Sequence, residues 1–274
     1  MTTPEIFRML EDARSFGIGV YNAWTAEPLL RPDLPDVLKH AKDLGLTTSL
    51  ITNGKILAER VQDLKDLDYL SVSLDGIKSN RELRGLDYED VLKGIKAARA
   101  AGHEVLLNCV ISGKNVSELG ELVQLARELG TLISFEPLNQ SGNVDNRVWE
   151  DLKLNDVSEY EKAMDDLIRL KRSGAPIINS ETYLRMVKRR APEFRCHASD
   201  IVLHVASDGT FENCRLSKEP LGSVSDGLLD VWNSSRDKRK RIVSECDGCL
   251  FFGYVENSML YDFVPEVMAH YRGM

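Results

Sequence analysis

Apolar stretches of strand type alternate with amphipathic helical stretches through the first half of the chain. Five such strands are predicted, at residues 18–24, 47–54, 69–76, 104–112 and 131–139. Strands that are separated by helices lie parallel, because each helical crossover returns the chain to the same end of the sheet. We therefore predict an α/β fold, as a (β/α) barrel or partial barrel. An open doubly wound sheet is the alternative, although no G-x-G-x-x-G follows the first strand.

Polar residues or glycine end nearly every predicted strand. The tips contain Glu27 and Pro28 after the first strand, Thr52 and Asn53 after the second, and Asp75 after the third. Parallel barrels collect their functional groups at this end of the strands. A structural interpretation stays open beside the functional one. Glu27 then only holds its loop, and the Asn-Gly and Asp-Gly pairs are ordinary turns.

Four cysteines lie in the last third of the chain with the spacing C-x17-C-x31-C-x2-C, namely Cys196, Cys214, Cys246 and Cys249. Four thiolates bind either zinc or an iron–sulfur cluster, and the spacing alone does not choose between them. The Ser-Asp-Gly at 207–209 predicts a β-hairpin. We predict two domains, 1–190 and 191–274, with the cysteines holding the smaller one together. The fifth cysteine, Cys109, is predicted to be a small buried apolar residue.

Composition narrows the classes of partner. The 274 residues carry a net charge of −8 and are 43% hydrophobic, as in ordinary globular proteins. The basic run at 236–241 is predicted to be the solvated face of a helix, and we expect no nucleic-acid partner. No apolar run approaches the roughly 18 residues of a membrane span, so no membrane partner is expected. Cysteines without an export signal predict a cytoplasmic protein.

In order and spacing, the strand tips resemble the motifs of the radical S-adenosylmethionine (SAM) superfamily. Residues 26–34, AEPLLRPDL, are similar to the family's GGEPLLRPDL motif. Residues 50–54 match its LxTNG tip, and residues 71–76 match its VSLDG tip. Asn108 stands where the next strand of that family offers a polar group to SAM. The resemblance runs from about residue 3 to residue 255.

This resemblance implies a partial TIM-like barrel that lacks its first strand, followed by a small α+β domain of the SPASM/twitch type. It implies SAM as a cofactor, bound by Ala26, Glu27, Pro28, Thr52, Asn53, Ser73, Asp75 and Asn108. It favours iron–sulfur over zinc, with one auxiliary [4Fe–4S] cluster on Cys196, Cys214, Cys246 and Cys249. The implied activity is that of an oxidoreductase or modifying enzyme, in which a 5′-deoxyadenosyl radical takes hydrogen from a small-molecule or peptide substrate. A reducing partner such as flavodoxin or ferredoxin is implied as the electron donor.

Two departures from the family pattern qualify these expectations. The C-x3-C-x2-C that holds the family's catalytic [4Fe–4S] cluster does not occur in residues 1–274, and Thr25-Ala26 replaces two glycines. We expect an N-terminally truncated reading frame, with the catalytic cluster present only if an upstream segment supplies its cysteines. The alternative is a degenerate, non-catalytic barrel with a structural four-cysteine metal site. No catalytic residue is predicted.

Overall fold

The computed structural model describes residues 1–24, 26–139 and 145–272. Its first half alternates between helices and strands, and all five predicted strands are confirmed. The elements are α1 (Thr3–Phe16), β1 (Val20–Ala23), α2 (Leu34–Asp43), β2 (Thr47–Thr52), α3 (Leu57–Arg60), β3 (Tyr69–Ser73), α4 (Asn80–Arg84), α5 (Tyr88–Ala100), β4 (Val105–Ile111), α6 (Leu119–Leu129) and β5 (Leu132–Pro137). Short 3₁₀ turns lie at Pro28–Leu30, Val61–Asp63, Val116–Glu118 and Val224–Asp226.

The second half is mostly helical around a small antiparallel sheet. Its elements are α7 (Asn146–Leu152), α8 (Val157–Arg172), α9 (Glu181–Arg189), α10 (Ala198–Ile201), β6 (His204–Val205), β7 (Thr210–Glu212), β8 (Pro220–Ser223), α11 (Leu228–Ser234), α12 (Arg236–Ser244), α13 (Phe252–Tyr261) and α14 (Pro265–Arg272). The predicted hairpin is confirmed as β6 and β7, and β8 pairs with β7 on its other side.

The five strands β1 to β5 form one parallel sheet in chain order. Val20 aligns with Thr47 between β1 and β2, and Leu106 aligns with Leu132 between β4 and β5. Over the ranges that the structure describes, the sheet does not close into a barrel. The predicted α/β class with a partial barrel is therefore confirmed, in its open form.

Hydrophobic periodicity explains why these segments take these forms. In β4, alternate residues are buried: Val105, Leu107, Cys109 and Ile111. In α2, the buried residues recur at helical spacing: Leu34, Val37, Leu38 and Ala41. A strand repeats every two residues and a helix every 3.6, so each pattern fits only one backbone conformation.

The chain divides into two compact units. The first consists of Met1–Val72, Asp90–Val105 and Ser199–Cys246. Its small sheet packs against α1, because Ala13 of α1 shares a core cluster with Phe211 of β7 and Leu228 and Val231 of α11. Residues of the N-terminal helix and of the last third of the sequence thus share one core. The domain boundary at residue 190 stays a prediction.

The second unit consists of Ser73–Glu89, Leu106–Ala198 and Asp247–Met274. In it α8 packs on α9, and the buried Tyr160 hydroxyl donates a hydrogen bond to the Val187 carbonyl at 2.6 Å. The cap of α8 is Asp156, whose carboxylate accepts from the Glu159 amide at 2.9 Å. Asp156, and not the nearby Ser158, is the residue with the extended backbone that a cap requires.

Two further expectations need correction. Residues 140–157 are polar in sequence, a composition that predicts a loop, but α7 occupies 146–152. Its cap is Asp145, whose side chain accepts from the Arg147 amide at 2.8 Å. Residues 140–144 lie outside the described residues. The basic run forms part of α12, and one member, Arg239, is buried instead of solvated. Its guanidinium lies 3.5 Å from the centre of the Trp232 ring and donates to the Ser199 carbonyl at 2.6 Å.

None of the described helices is both long enough and apolar enough to cross a membrane.

Candidate functional site

Glu27 joins the carboxyl ends of β1 and β2. It caps the 3₁₀ turn at Pro28–Leu30, where its Oε1 accepts a hydrogen bond from the Leu29 amide at 3.2 Å. The same oxygen accepts from the Thr52 hydroxyl at 2.7 Å, and Oε2 accepts from the Asn53 amide at 2.8 Å. The carboxylate therefore holds the loop after β1 against the tip of β2, which is the structural role left open for it.

The turn after β2 is closed by its own side chains. The Thr52 hydroxyl accepts from the Gly54 amide at 3.0 Å, and Asn53 Oδ1 accepts from the Lys55 amide at 2.9 Å. Gly54 has φ +80°, and a Cβ there would come within 3.0 Å of Val72. A left-handed backbone and a tight contact both require glycine at this position. The structure thus brings Thr52 and Asn53 together with Glu27, in one hydrogen-bonded group.

Ala26 lies in the left-handed region, with φ 54°. This conformation is costly for alanine and ordinary for glycine, the residue that the related motif has here. The side chain is exposed, and Pro28 two residues later is buried. The backbone at residue 26 thus has the left-handed conformation that is typical of glycine, although the residue is alanine. Thr25, which replaces the other motif glycine, falls outside the described residues.

Asp75 follows β3 and is almost fully buried. Its Oδ1 accepts from the Val110 amide at 2.8 Å, and its Oδ2 lies 2.7 Å from Nε of Arg84. The Asp75 carbonyl accepts from Asn115 Nδ2 at 2.6 Å. Asp75 therefore ties the loop after β3 to β4, and both of its oxygens have protein partners.

Asn108 and Ser73 were predicted to bind SAM from neighbouring strands. Asn108 Oδ1 accepts from the Ser134 hydroxyl at 2.6 Å, and its carbonyl accepts from the Leu74 amide at 2.9 Å. Ser73 is the last residue of β3 and is half-buried. Asn108 still has its amide nitrogen as a hydrogen-bond donor group.

Glu118 organises the loop after β3, and sequence reasoning missed it. Its carboxylate accepts from the backbone amides of Ile77, Lys78 and Ser79 at 2.7, 2.8 and 3.1 Å. Burial by itself would raise the pKa of Glu118, but these hydrogen bonds outweigh it and lower the pKa. A carboxylate about 40 residues from the loop that it holds leaves no local signal in the sequence.

Cys109 is 1% exposed in β4, as predicted for a small apolar residue. Its sulfur lies 3.8 Å from the Asp75 carbonyl and 3.7 Å from Asn115 Nδ2. Burial raises the pKa of the Cys109 thiol well above its usual value. The negative charge of Asp75 raises it further, by a smaller amount. A thiol held neutral in this way is a poor nucleophile and a poor metal ligand.

Glu136 lies on β5, where its carboxylate could face the ends of the strands or pair with Arg81 or Arg84. Its carboxylate accepts from the Phe252 amide at 3.3 Å. Arg84 pairs with Asp75 instead. The contact with Phe252 joins β5 to the start of α13.

The four C-terminal cysteines differ in exposure. Cys246 is exposed, and Cys196, Cys214 and Cys249 are half-buried. Gly248, between the last two, has φ +87°, so the backbone of the C-x2-C segment turns at this glycine. Four thiolates are a donor set that zinc and iron–sulfur clusters accept, so the chemistry of the site fits either. Within residues 1–24, 26–139 and 145–272, no three His, Cys, Asp or Glu side chains are arranged as metal ligands.

A second feature missed from the sequence lies at the tip of β1. The Arg215 guanidinium lies over the Trp24 ring, 4.6 Å from its centre, and the His204 ring meets the same indole edge-on at 5.6 Å. Burial, with a smaller contribution from the Arg215 charge, lowers the pKa of His204 to about 4. The residue that follows Cys214 is thereby fixed beside the strand that precedes Ala26.

Comparison with known proteins agrees with the strand-tip motifs. The model of the radical SAM superfamily matches residues 1–126. A probable GTP 3′,8-cyclase of Methanococcus aeolicus is 33% identical over 152 residues, which cover 51% of each protein. The PqqA peptide cyclase of Streptomyces rochei is 34% identical over 128 residues, covering 44% of this chain and 35% of the cyclase. Over about its first half, this chain is therefore similar to proteins of the radical SAM superfamily.

A solved structure extends the comparison to the fold. SuiB of Streptococcus suis superposes with a TM-score of 0.67 at 18% identity, covering 85% of this chain and 59% of SuiB. At that identity the likeness concerns the fold alone. The chain spans about half the length of the curated relatives that it matches first.

Proposed function

We propose that this chain carries the SAM-binding part of a radical SAM enzyme that acts on a peptide or small molecule. The observation that carries the proposal is Ala26, whose backbone takes the left-handed form at the position of the family's motif glycine. Alanine rarely adopts that conformation without a constraint from its surroundings, and Glu27 supplies one through its bonds to the tip of β2.

The proposed SAM contacts keep the sequence assignment with one change of role. Ala26 and Pro28 would shape the site through their backbone, and Ser73 and Asn108 would offer polar side chains. Glu27, Thr52, Asn53 and Asp75 would act by holding the strand tips, because their side-chain oxygens already have protein partners. In this family SAM and a reduced [4Fe–4S] cluster together supply the radical chemistry.

An auxiliary [4Fe–4S] cluster on Cys196, Cys214, Cys246 and Cys249 completes the proposal. The thiolate donor set supports it, and zinc remains the other ion that this set accepts. The PqqA peptide cyclase acts on a peptide by its name, and SuiB has been solved with its precursor peptide SuiA. A peptide is therefore the substrate class that we favour, and a flavodoxin or ferredoxin would supply electrons.

SAM binding is the first test. Equilibrium dialysis with labelled SAM should give saturable, one-to-one binding to the purified chain. Asn108→Ala should weaken it about tenfold, through loss of a hydrogen bond to a charged ligand. The matched control is Asn139→Ala, in the loop after β5, which should bind SAM like the wild type. Absence of saturable binding by the wild-type chain would refute the proposal.

The auxiliary cluster has a separate test. Anaerobic reconstitution with iron and sulfide should give broad visible absorption and about four irons per chain. Cys249→Ala should lose the absorption, whereas Cys109→Ala should keep it if the variant folds. Binding of stoichiometric zinc with no visible absorption would instead indicate that the four cysteines form a structural zinc site.

The hydrogen bonds that the strand-tip side chains make within the protein favour a second candidate, a non-catalytic barrel with a structural metal site. Glu27, Thr52 and Asp75 all serve the fold through internal hydrogen bonds. A chain that binds its metal but shows no saturable SAM binding would support this candidate.

A further inference from the structure

Helix α13 fastens two segments that carry predicted metal ligands. The helix begins at Phe252, three residues after Cys249, and so continues directly from the C-x2-C turn. It also holds His197, the neighbour of Cys196, through side chains at its far end. All of these contacts lie inside the second compact unit.

The backbone beside Cys196 is bonded to a fully buried residue of α13. The His197 amide donates to the Ser258 hydroxyl at 2.9 Å, and Ser258 is 0% exposed. A main-chain bond of this kind fixes the peptide that joins Cys196 to His197, whichever way the imidazole points.

The His197 imidazole adds a second attachment. Its Nε2 lies 2.8 Å from Asp262 Oδ1, and its ring packs on Tyr261 at 4.5 Å between centres. The His197 residue is 4% exposed, so the ring is part of the core and not a surface group. Both attachments reach the C-terminal end of α13, with Ser258 inside the helix and Asp262 as its C-cap residue.

The C-x2-C turn is held from its other side. A Cβ on Gly248 would come within 2.8 Å of Pro192, so the turn lies against the segment that leads to Cys196. The Tyr183 hydroxyl donates to the Leu250 carbonyl at 2.8 Å, directly after Cys249. Segments 192–197 and 248–252 are thus adjacent, and each has its own hydrogen bonds.

We propose that Ser258, Asp262 and His197 are positioning residues of the metal centre. They hold Cys196 in register with the Cys249 turn before any metal binds, so that two thiolates of the set are ordered in advance. This inference rests on the proposed four-cysteine site, and it adds residues that no motif identifies. Outer-shell partners of this kind typically change metal affinity by about 10- to 100-fold.

The test uses Co²⁺ alone as the probe, titrated anaerobically into the reduced full-length chain and followed by thiolate-to-cobalt absorption. Ser258→Ala and Asp262→Ala should each weaken Co²⁺ binding about tenfold or more. Asp262→Asn keeps an oxygen acceptor for the His197 ring and should restore affinity to within about threefold of the wild type. The matched control is Ser173→Ala, which removes an exposed hydroxyl bonded to the Leu170 carbonyl in the same unit.

Thermal unfolding of the metal-free variants separates positioning from general stability. Ser258→Ala and Asp262→Ala that bind Co²⁺ like the wild type, while unfolding at lower temperature, would overturn the inference and leave the four-cysteine proposal intact. A wild-type chain that shows no thiolate-to-cobalt absorption would overturn both. Weakened binding in these two variants, with the Asn variant and the control unchanged, supports the positioning role.

Discussion

Glu27 and Glu118 are single carboxylates that each hold a loop through hydrogen bonds to its backbone. Each carboxylate accepts backbone amides from a loop that follows a strand, Glu27 after β2 and Glu118 after β3. An amide without an acceptor costs about 1–3 kcal/mol when it is buried, so each carboxylate stabilises the loop whose amides it accepts. The loops that carry the candidate site are therefore fixed by acids from outside the loops.

Glu27→Ala should destabilise the chain by about 1–3 kcal/mol, because the Asn53 amide and the Thr52 hydroxyl lose their acceptor. Urea unfolding measures the change. Glu89→Ala, at an exposed position of α5, is the matched control and should change stability by less than about 0.5 kcal/mol. Equal stability of the two variants would show that Glu27 does not hold the loop.

Glu256 predicts a pH dependence. Burial raises the pKa of Glu256 from 4.5 to about 7, against a hydrogen bond from the Ser180 amide that lowers it. Nearby charges on Glu266 and Lys171 act in opposite directions. A raised pKa in the folded state stabilises the protein below the unfolded value, and this stabilisation is lost as pH rises through about 7.

Glu256→Gln should remove this dependence, because glutamine fits the same space and does not ionise. At about pH 8 the variant should be more stable than the wild type by on the order of 3 kcal/mol, and at about pH 4, below the unfolded pKa, nearly equal to it. Unfolding free energies at the two pH values measure this. Glu193→Gln, at an exposed site, should leave the pH profile unchanged; a wild-type profile for Glu256→Gln would contradict the prediction.

In the first unit, α5 and the turn after β2 contact each other through a glycine on each side, Gly94 and Gly54. A Cβ on Gly94 of α5 would lie 2.9 Å from the Gly54 carbonyl and 3.0 Å from Leu57 Cβ. The helix can therefore approach the turn only where it has no side chain. The packing of α5 and the shape of a candidate site loop depend on the same residue.

Gly94→Ala should destabilise the protein, although alanine favours helices by about 1 kcal/mol, because the contact is with backbone that cannot yield. Gly120→Ala on α6 is the matched control, since a Cβ there meets nothing within 4 Å. That variant should be neutral or stabilised by up to about 1 kcal/mol. Thermal unfolding of both variants checks the difference in sign.

At the scale of the whole molecule, the first unit joins the N-terminal segment to residues 199–246, far away in the sequence. Phe211 of β7 is 1% exposed and packs in the cluster that contains Ala13 of α1. Contacts between such distant segments make the N-terminal helix depend on the small C-terminal sheet.

Phe211→Ala should cost about 3–5 kcal/mol and should speed amide hydrogen exchange in α1 as well as in β7. Hydrogen exchange with mass spectrometry measures both segments in one experiment. Phe263→Ala is the matched control, because Phe263 is 73% exposed. Faster exchange confined to β7 would show that α1 is stable without the sheet.

The fold was predictable because periodicity and turn residues act locally. The alternation of helix and strand, the hairpin at Ser207-Asp208-Gly209 and the burial of Cys109 all follow from neighbours in sequence. The roles of Glu118, Trp24 and Arg239 did not, because each contacts residues tens of positions away or more. Similarly, the motif assigned Glu27 and Asp75 to cofactor binding, whereas in the folded chain both carboxylates accept hydrogen bonds from backbone amides.

The stack of Arg215 on Trp24 gives the protein an internal optical reporter. Indole emission responds to a charge held against its ring, and this guanidinium lies 4.6 Å from the ring centre. Because Arg215 directly follows Cys214, any rearrangement at that cysteine would be transmitted to the indole at the tip of β1. With Trp149 and Trp232 replaced by phenylalanine, the fluorescence of Trp24 would report in real time on events at Cys214, without an added label.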